Sequence, residues 1–164
     1  MKRLILLRHA KSSWESDAVN DHSRPLNDRG RSEAPLLGPR LTERGCQPDL
    51  VLCSDATRAR ETWELAQSTM DPKPPVELER RLYLAGPHQV REVLTERDDA
   101  AETLLLVGHN PGWEHCVAWF AGAEVTIKTA TVAVLRAKRD ASWRDLVSEA
   151  GGFTLEDSFR AVDE

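Results

Sequence analysis

Cysteine is scarce in this chain, tyrosine occurs once, and aromatic residues make up only 5% of it. The three cysteines, Cys46, Cys53 and Cys116, are odd in number and widely spaced with no C-x-x-C pair, which argues against both a disulfide framework and a structural zinc site. We read them as reduced, mostly buried thiols. None has a paired histidine signature, so a thiol enzyme is disfavoured. No apolar run approaches the roughly 20 residues of a membrane-spanning helix. The run that follows Met1-Lys2-Arg3 stops at Arg8, well short of a signal-peptide core. The expectation is a cytoplasmic protein with no membrane partner. An excess of basic residues is missing as well: 22 Lys+Arg stand against 27 Asp+Glu, a formal net charge of −5, which argues against sequence-independent nucleic-acid binding. No H-E-x-x-H motif and no carboxylate cluster occurs, so no metal and no cofactor is expected, and a metal-dependent hydrolase is a distant alternative. At 164 residues there is room for one domain with a full core, and residues 1–164 are read as one domain.

What is present is an alternation of apolar runs and helical patterns. Residues 2–7 read as a buried parallel strand, a continuous apolar run with no alternation. Residues 12–27 have no stable period and form a long loop, of the kind that is often functional. A helix starts with Asn27 as N-cap and Leu26 before it, and runs to about Arg44, kinked or interrupted by Pro35 and Pro39. Gly30 in its first turn, which costs about 1 kcal/mol relative to Ala, suggests close approach of another backbone or a ligand. Further strands are expected at 50–53, 76–78, 103–107 and 129–135. Helices are expected from about Asp55 to Thr69, from Pro87 to near Asp98, and from Pro111 onward. Trp113, Trp119 and Phe120 at helical spacing read as core. Residues 143–147 are a candidate for a further strand on the antiparallel edge, and the tail from Glu149 is weakly patterned. The architecture expected is α/β: a three-layer α/β/α sandwich on a mainly parallel sheet.

Two strands end in histidine. Leu4 to Leu7 runs into Arg8-His9-Ala10-Lys11, and Leu104 to Val107 into Gly108-His109-Asn110-Pro111-Gly112. A third, Leu50 to Cys53, delivers Ser54-Asp55-Ala56-Thr57-Arg58. In an open parallel sheet the carboxyl ends of the strands are where ligands bind. A guanidinium stays charged and grips two phosphoryl oxygens at once, a role that suits Arg8 and Arg58. A neutral imidazole between them can attack phosphorus and split one displacement into two. From the residues alone either His9 or His109 is a candidate for that nucleophile. The other is then most useful protonated, stabilising the equatorial oxygens.

These residues carry a family resemblance. The segments LLRHAKSSW at 6–14, RPLNDRG at 24–30, DLVLCSDATRARET at 49–62, LYLA at 82–85 and VGHNPG at 107–112 resemble the histidine phosphatase superfamily. That superfamily is also called phosphoglycerate-mutase-like, and the resemblance is to its small SixA-type phosphohistidine phosphatase branch. It implies a phosphoglycerate-mutase-like fold, with His9 as the phosphorylated nucleophile and Arg8, Arg58 and His109 completing the phosphate pocket. Position 10 carries Ala where the superfamily usually has Gly, as is typical of this branch.

The resemblance also exposes a gap. The mutase branch places a Glu proton donor after the third strand, but residues 81–86 carry no carboxylate, and Asn110 stands where another branch has Asp. The remaining donor candidates are Asp17, Asp21 and Glu15 in the first loop. The P–N bond of phosphohistidine expels imidazole, a far better leaving group than an alkoxide, so weak acid catalysis suffices. Only residues 86–102 separate the third-strand region from the next strand, so the site is expected to be open, suited to a phosphorylated protein side chain rather than an enclosed metabolite. The expected activity is hydrolysis of protein phosphohistidine, with phosphate or sulfate able to occupy the site. Small phosphoesters or sugar phosphates are the alternative substrates, and a noncatalytic phosphate-binding module is an alternative of another class. Lys11 either attracts phosphate or flanks the pocket. Ser54 either donates to phosphate or caps a helix. Trp14 is placed in the pocket wall. Arg24 is read as an anchor of the first loop through Asp21 or Asp17, and His22, His88 and His115 as structural.

Overall fold

Six strands form one sheet in a computed structural model that describes residues 1–163. They are β1 (Arg3–Arg8), β2 (Leu50–Cys53), β3 (Val76–Leu78), β4 (Thr103–Gly108), β5 (Thr131–Ala137) and β6 (Phe153–Arg160), in the order β3-β2-β4-β1-β5-β6. β1 to β4 run parallel, β5 lies antiparallel to β1, and β6 antiparallel to β5. The helices are α1 (Asp28–Glu33), α2 (Leu37–Glu43), α3 (Thr57–Ala66), α4 (Pro87–Thr95), α5 (Gly112–Ala121) and α6 (Trp143–Leu146).

The continuous apolar strands are buried on both faces because side chains alternate across the pleat. Leu4 and Leu6 of β1 join Leu104 and Leu106 of β4 under α4, α5 and α6, through Val90, Trp113, Phe120 and Trp143. Ile5, Leu7, Leu105 and Val107 face the opposite core, under α2 and α3, with Leu37, Leu41 and Trp63. Burying each such side chain completely is worth about 2 kcal/mol. This is the three-layer α/β/α sandwich on a mainly parallel sheet that the strand and helix pattern predicts.

Two elements depart from the sequence reading. Residues 143–147 are not an edge strand. Ser142 caps a short helix there, its hydroxyl accepting from Asp145 N, while Trp143, Leu146 and Val147 are buried at the i, i+3, i+4 spacing of a helix face. The antiparallel edge is instead β6, from the weakly patterned tail. Its opposite-facing residues alternate between covered and exposed, and a register shift at Val134/Leu135 blurs the period further. The segment from Asn27 to Arg44 breaks where its prolines fall, with a 3-10 turn at Ala34–Leu36 between α1 and α2. Trp119 is only half-buried, with Arg91 over its ring. Among the described residues no helix is long and apolar enough to cross a membrane.

Candidate active site

The parallel pairing of β1 with β4 sets Arg8 opposite Gly108, so the residues that follow each strand, His9 and His109, emerge side by side. His9 N donates to the Gly108 carbonyl at 3.1 Å, and the two imidazole centroids lie 5.2 Å apart. β2 pairs with the other side of β4, and Ser54 N donates to the Val107 carbonyl at 3.0 Å. Three adjacent strand ends thus deliver Arg8-His9, His109 and Ser54, and the first turn of α3 adds Arg58. Gly108 keeps the β4 end close to α5, since a Cβ there would sit 2.3 Å from the Trp113 ring. The Trp113 indole N–H donates to the Leu7 carbonyl at 3.1 Å, fixing α5 against the end of β1.

His9 is buried, and its Nδ1 lies 2.7 Å from the carbonyl oxygen of Ala10. A carbonyl only accepts, so Nδ1 carries the proton and Nε2 the lone pair. Arg58 agrees with this tautomer by donating Nε–H to His9 Nε2 at 3.3 Å. The Arg58 side chain is 3% exposed and also donates to the Asp21 carbonyl at 2.7 Å and to Asp21 Oδ2 at 3.0 Å. Burial, with Arg58, Arg8 and Arg24 nearby, pushes the His9 pKa down to about 3 despite the opposing Ala10 hydrogen bond. Burial, His9 and Arg58 push His109 to about 3 as well. Both imidazoles are therefore neutral at pH 7, where the sequence reading has the second histidine protonated. His109 Nε2 lies 2.8 Å from Ser54 Oγ, while its buried Nδ1 has no hydrogen-bond partner among the described residues.

Arg8 donates Nη1–H to the Ile127 carbonyl at 2.9 Å, and burial lowers its pKa against the opposing pull of Glu114. That carbonyl also accepts from Asn110 Nδ2 at 2.7 Å, and Glu114 Oε2 accepts from Ile127 N at 2.8 Å. The Asn110–Glu114 pair on the turn into α5 thus sets the position of Arg8, a role invisible until 127 is seen to fold against 110. Thr62 is a second such residue. It accepts from Ala10 N at 3.0 Å and donates to the Arg58 carbonyl at 2.7 Å, tying the His9 loop to α3. Tyr83 is a third. Its hydroxyl donates to Asp21 Oδ2 at 2.5 Å and its ring meets His109 edge-on at 5.5 Å.

Of the first-loop residues, Asp21 enters the site and Asp17 does not; Asp17 and Glu15 are exposed. Burial would raise the Asp21 pKa, but hydrogen bonds from Tyr83, Arg58 and Arg24 outweigh it and hold the carboxyl well below the usual carboxylate range. Arg24 anchors the loop as expected, donating to Asp21 Oδ1 at 3.1 Å, Ser12 Oγ at 2.7 Å and the Ser13 carbonyl at 3.0 Å. It lies 3.5 Å from the Trp14 ring centroid. Lys11 and Trp14 line the cleft, whereas Ser54 is fully buried beneath it with its hydroxyl on His109. α3 has no side-chain cap at Ala56, although Ser54 Oγ does accept from Ala56 N at 3.3 Å. His22 pairs with Asp55 at 2.8 Å, and His88 and His115 are exposed. Burial pushes the Cys53 and Cys116 thiols up to about 12, so neither supplies a thiolate nucleophile.

The resulting cleft, about 360 Å³, has Arg8, His9, Arg58, His109 and Asn110 among its walls and Trp14 and Leu84 at its rim. These rim side chains stay 76% and 58% exposed. A larger hollow of about 540 Å³ lies between α4 and α6, but apart from the buried Val147 its lining residues are exposed or half-buried side chains such as Arg81, His88 and Arg144, with no buried nucleophile among them.

Comparison with known proteins identifies the family. Residues 4–83 match the histidine phosphatase superfamily (branch 1). A chloroplastic protein of Arabidopsis thaliana is 34% identical over 166 residues, covering 94% of this chain and 76% of its own. The chain belongs to the histidine phosphatase superfamily, and its place there supports phosphatase activity. Within it the chain falls in the SixA-type branch. A Nakamurella multipartitia structure of a candidate phosphohistidine phosphatase SixA superposes with a TM-score of 0.81 at 29% identity, covering 99% of this chain and 97% of that one. A similarly designated Agrobacterium tumefaciens structure gives 0.79 at 25% identity, covering 96% and 97%.

Proposed function

We propose that this protein hydrolyses protein phosphohistidine through a phospho-His9 intermediate, without a metal ion. The observation that carries the reading is the 2.7 Å hydrogen bond between His9 Nδ1 and the Ala10 carbonyl, which leaves the Nε2 lone pair beside two arginines. Nε2 attacks phosphorus as the substrate P–N bond breaks, and the leaving imidazole takes up a proton from solvent. Water then attacks phospho-His9, its proton passes to solvent, and inorganic phosphate departs with His9 restored. Arg8 and Arg58 bind the non-bridging oxygens, and His109 adds a hydrogen bond as charge grows on them.

The substrate class is supported by what lines the leaving-group side. Residues 81–86 offer no carboxylate, and Asp21 is held ionised by its three donors, so neither supplies a strong general acid. A phosphoramidate needs the least help of that kind. The exposed rim residues Trp14 and Leu84, with α4 packed away from the cleft on the α5 and α6 side, suit a phosphorylated side chain on another protein. The three free buried thiols support a reducing, cytoplasmic setting.

The test offers wild type and His9→Ala a phosphohistidine carrier protein and a panel of small phosphoesters, with and without chelator. Phosphate release is measured and acid-labile phosphate is trapped on the enzyme. Wild type turns over the carrier, labels transiently and ignores chelator, while His9→Ala loses at least about 10³-fold in rate. Undiminished turnover by His9→Ala sinks the covalent route. Faster turnover of small esters by wild type sinks the substrate assignment.

A further inference from the structure

The geometry points to Ser54 as a positioning residue that sets the tautomer of His109, so that a neutral imidazole presents an N–H to the phosphoryl group. The inference rests on reading His109 as a phosphate-binding residue. It follows from accounting for every donor and acceptor around two buried side chains. Ser54 is 0% exposed and His109 1% exposed, so water does not satisfy either group. Ser54 Oγ accepts from Ala56 N at 3.3 Å and lies 2.8 Å from His109 Nε2. Among the described residues that hydroxyl has no other hydrogen-bond partner. Its proton therefore goes to Nε2, which must be the lone-pair nitrogen, and the imidazole proton resides on Nδ1.

The opposite assignment is costly twice over. Nε2–H donating to Oγ would leave the serine proton buried without an acceptor, and would leave Nδ1 as an unpartnered lone pair on a residue that lines a cleft rich in anion-binding groups. In the assigned tautomer the one unsatisfied atom is Nδ1–H, a donor with no protein partner, on a residue that lines the cleft. A phosphoryl oxygen supplies the missing acceptor. Ser54 is held for this task by backbone pairing, its N–H on the Val107 carbonyl at 3.0 Å, one residue before Gly108-His109. The two ends of the bond thus come from neighbouring strands β2 and β4, whose register fixes their separation. This buried hydrogen bond gives the site a phosphate donor that needs no added proton and holds at any pH where the imidazole is neutral.

The experiment reads the tautomer directly, by long-range proton–nitrogen correlation spectra of the imidazole nitrogens in wild type, Ser54→Ala and Ser54→Thr, with the His109 signals identified through His109→Gln. Inorganic phosphate is the added probe, and kcat and KM are measured on the phosphohistidine carrier. Wild type is expected to show the Nδ1–H pattern at pH 7, with the Nδ1 signal moving on phosphate addition. Ser54→Ala should populate the Nε2–H form and lose about tenfold to a hundredfold in kcat with little change in KM, and Ser54→Thr, which keeps the hydroxyl, should restore both. An Nε2–H pattern in wild type overturns the inference whatever the variants do. Retention of the Nδ1–H pattern and of kcat in Ser54→Ala overturns it too, as does a Ser54→Thr protein that behaves like Ser54→Ala. Failure of the parent reading looks different: wild type would show the Nδ1–H form yet neither respond to phosphate nor release it from the carrier.

Discussion

Leu84 holds a left-handed backbone, φ 52°, while its side chain stands 58% exposed on the rim of the cleft. That conformation costs a residue with a Cβ roughly 1–2 kcal/mol, a strain that folded proteins retain mainly where a site requires it. Leu84→Gly removes the penalty and gives up little buried surface, but it frees the unfolded chain. We expect a net gain of about 1 kcal/mol in urea unfolding, together with weaker binding of the protein substrate as the apolar rim is lost. A variant no more stable than wild type would show that the turn carries no strain. Residue by residue, the chemistry-bearing side chains were legible where they lie in contiguous motifs at strand ends, as Arg8, His9, Arg58 and His109 do. Thr62, Tyr83, Asn110 and Glu114 were not, because each acts through a partner brought close only by folding: Ala10, Asp21 or Ile127. Ser54 reads in the sequence as either a phosphate donor or a helix cap; its hydroxyl does accept from Ala56 N, but its other partner is the second histidine.

At the scale of elements, α1 braces the loop that carries His9. Asn27 caps the helix by accepting from Gly30 N at 2.9 Å, and its own N–H donates to the Lys11 carbonyl at 3.0 Å. Gly30 lies so close to that same carbonyl that a Cβ would fall 2.2 Å from Lys11 O. Backbone is on both sides of the contact, so neither can swing away cheaply. Gly30→Ala should therefore destabilise the fold by more than about 2 kcal/mol even though alanine is the better helix former. It should also lower activity in the fraction that remains folded, by displacing the residues after His9. Stability at or above wild type, with full turnover, would mean that the helix shifts without dragging the loop. The same helix illustrates what local pattern can and cannot convey. Its cap, its proline break and its unusual glycine are written in neighbouring residues. The fate of 143–147 and 153–160 is not, because a four-residue helix and a bulged edge strand are decided by what they pack against: Trp143 N–H on Asp99, its indole on Ala101, and β6 on β5.

Over the whole molecule a formal charge of −5 surrounds a cleft walled by Arg8, Lys11, Arg24 and Arg58, with Asp21 as the one carboxylate among its lining residues. Burial, with the positive groups around the cleft adding to it, keeps the two histidines from taking up protons, and this ties stability to pH. Unfolded, each imidazole titrates near pH 6.5; folded, each is pushed down to about 3. Between those values the unfolded chain binds protons that the native one refuses, so stability is full at neutral pH and falls as the pH drops below about 6.5. At pH 5 each buried histidine should account for about 2 kcal/mol of lost stability. Asp21 acts in a lower window. Its folded pKa is depressed, so its contribution is present above the ordinary carboxylate range and is lost only as the pH falls below about 4. The measurement is urea unfolding at pH 7 and pH 5 for wild type, His9→Ala and His9→Ala/His109→Phe. The loss between the two pH values should be largest in wild type, smaller in the single variant and smallest in the double. Equal losses in all three would mean that the histidines are protonated in the native state. The depressed pKa values of the two imidazoles, and with them the acid-resistant neutrality of the nucleophile and of the phosphate donor, would then have to be abandoned.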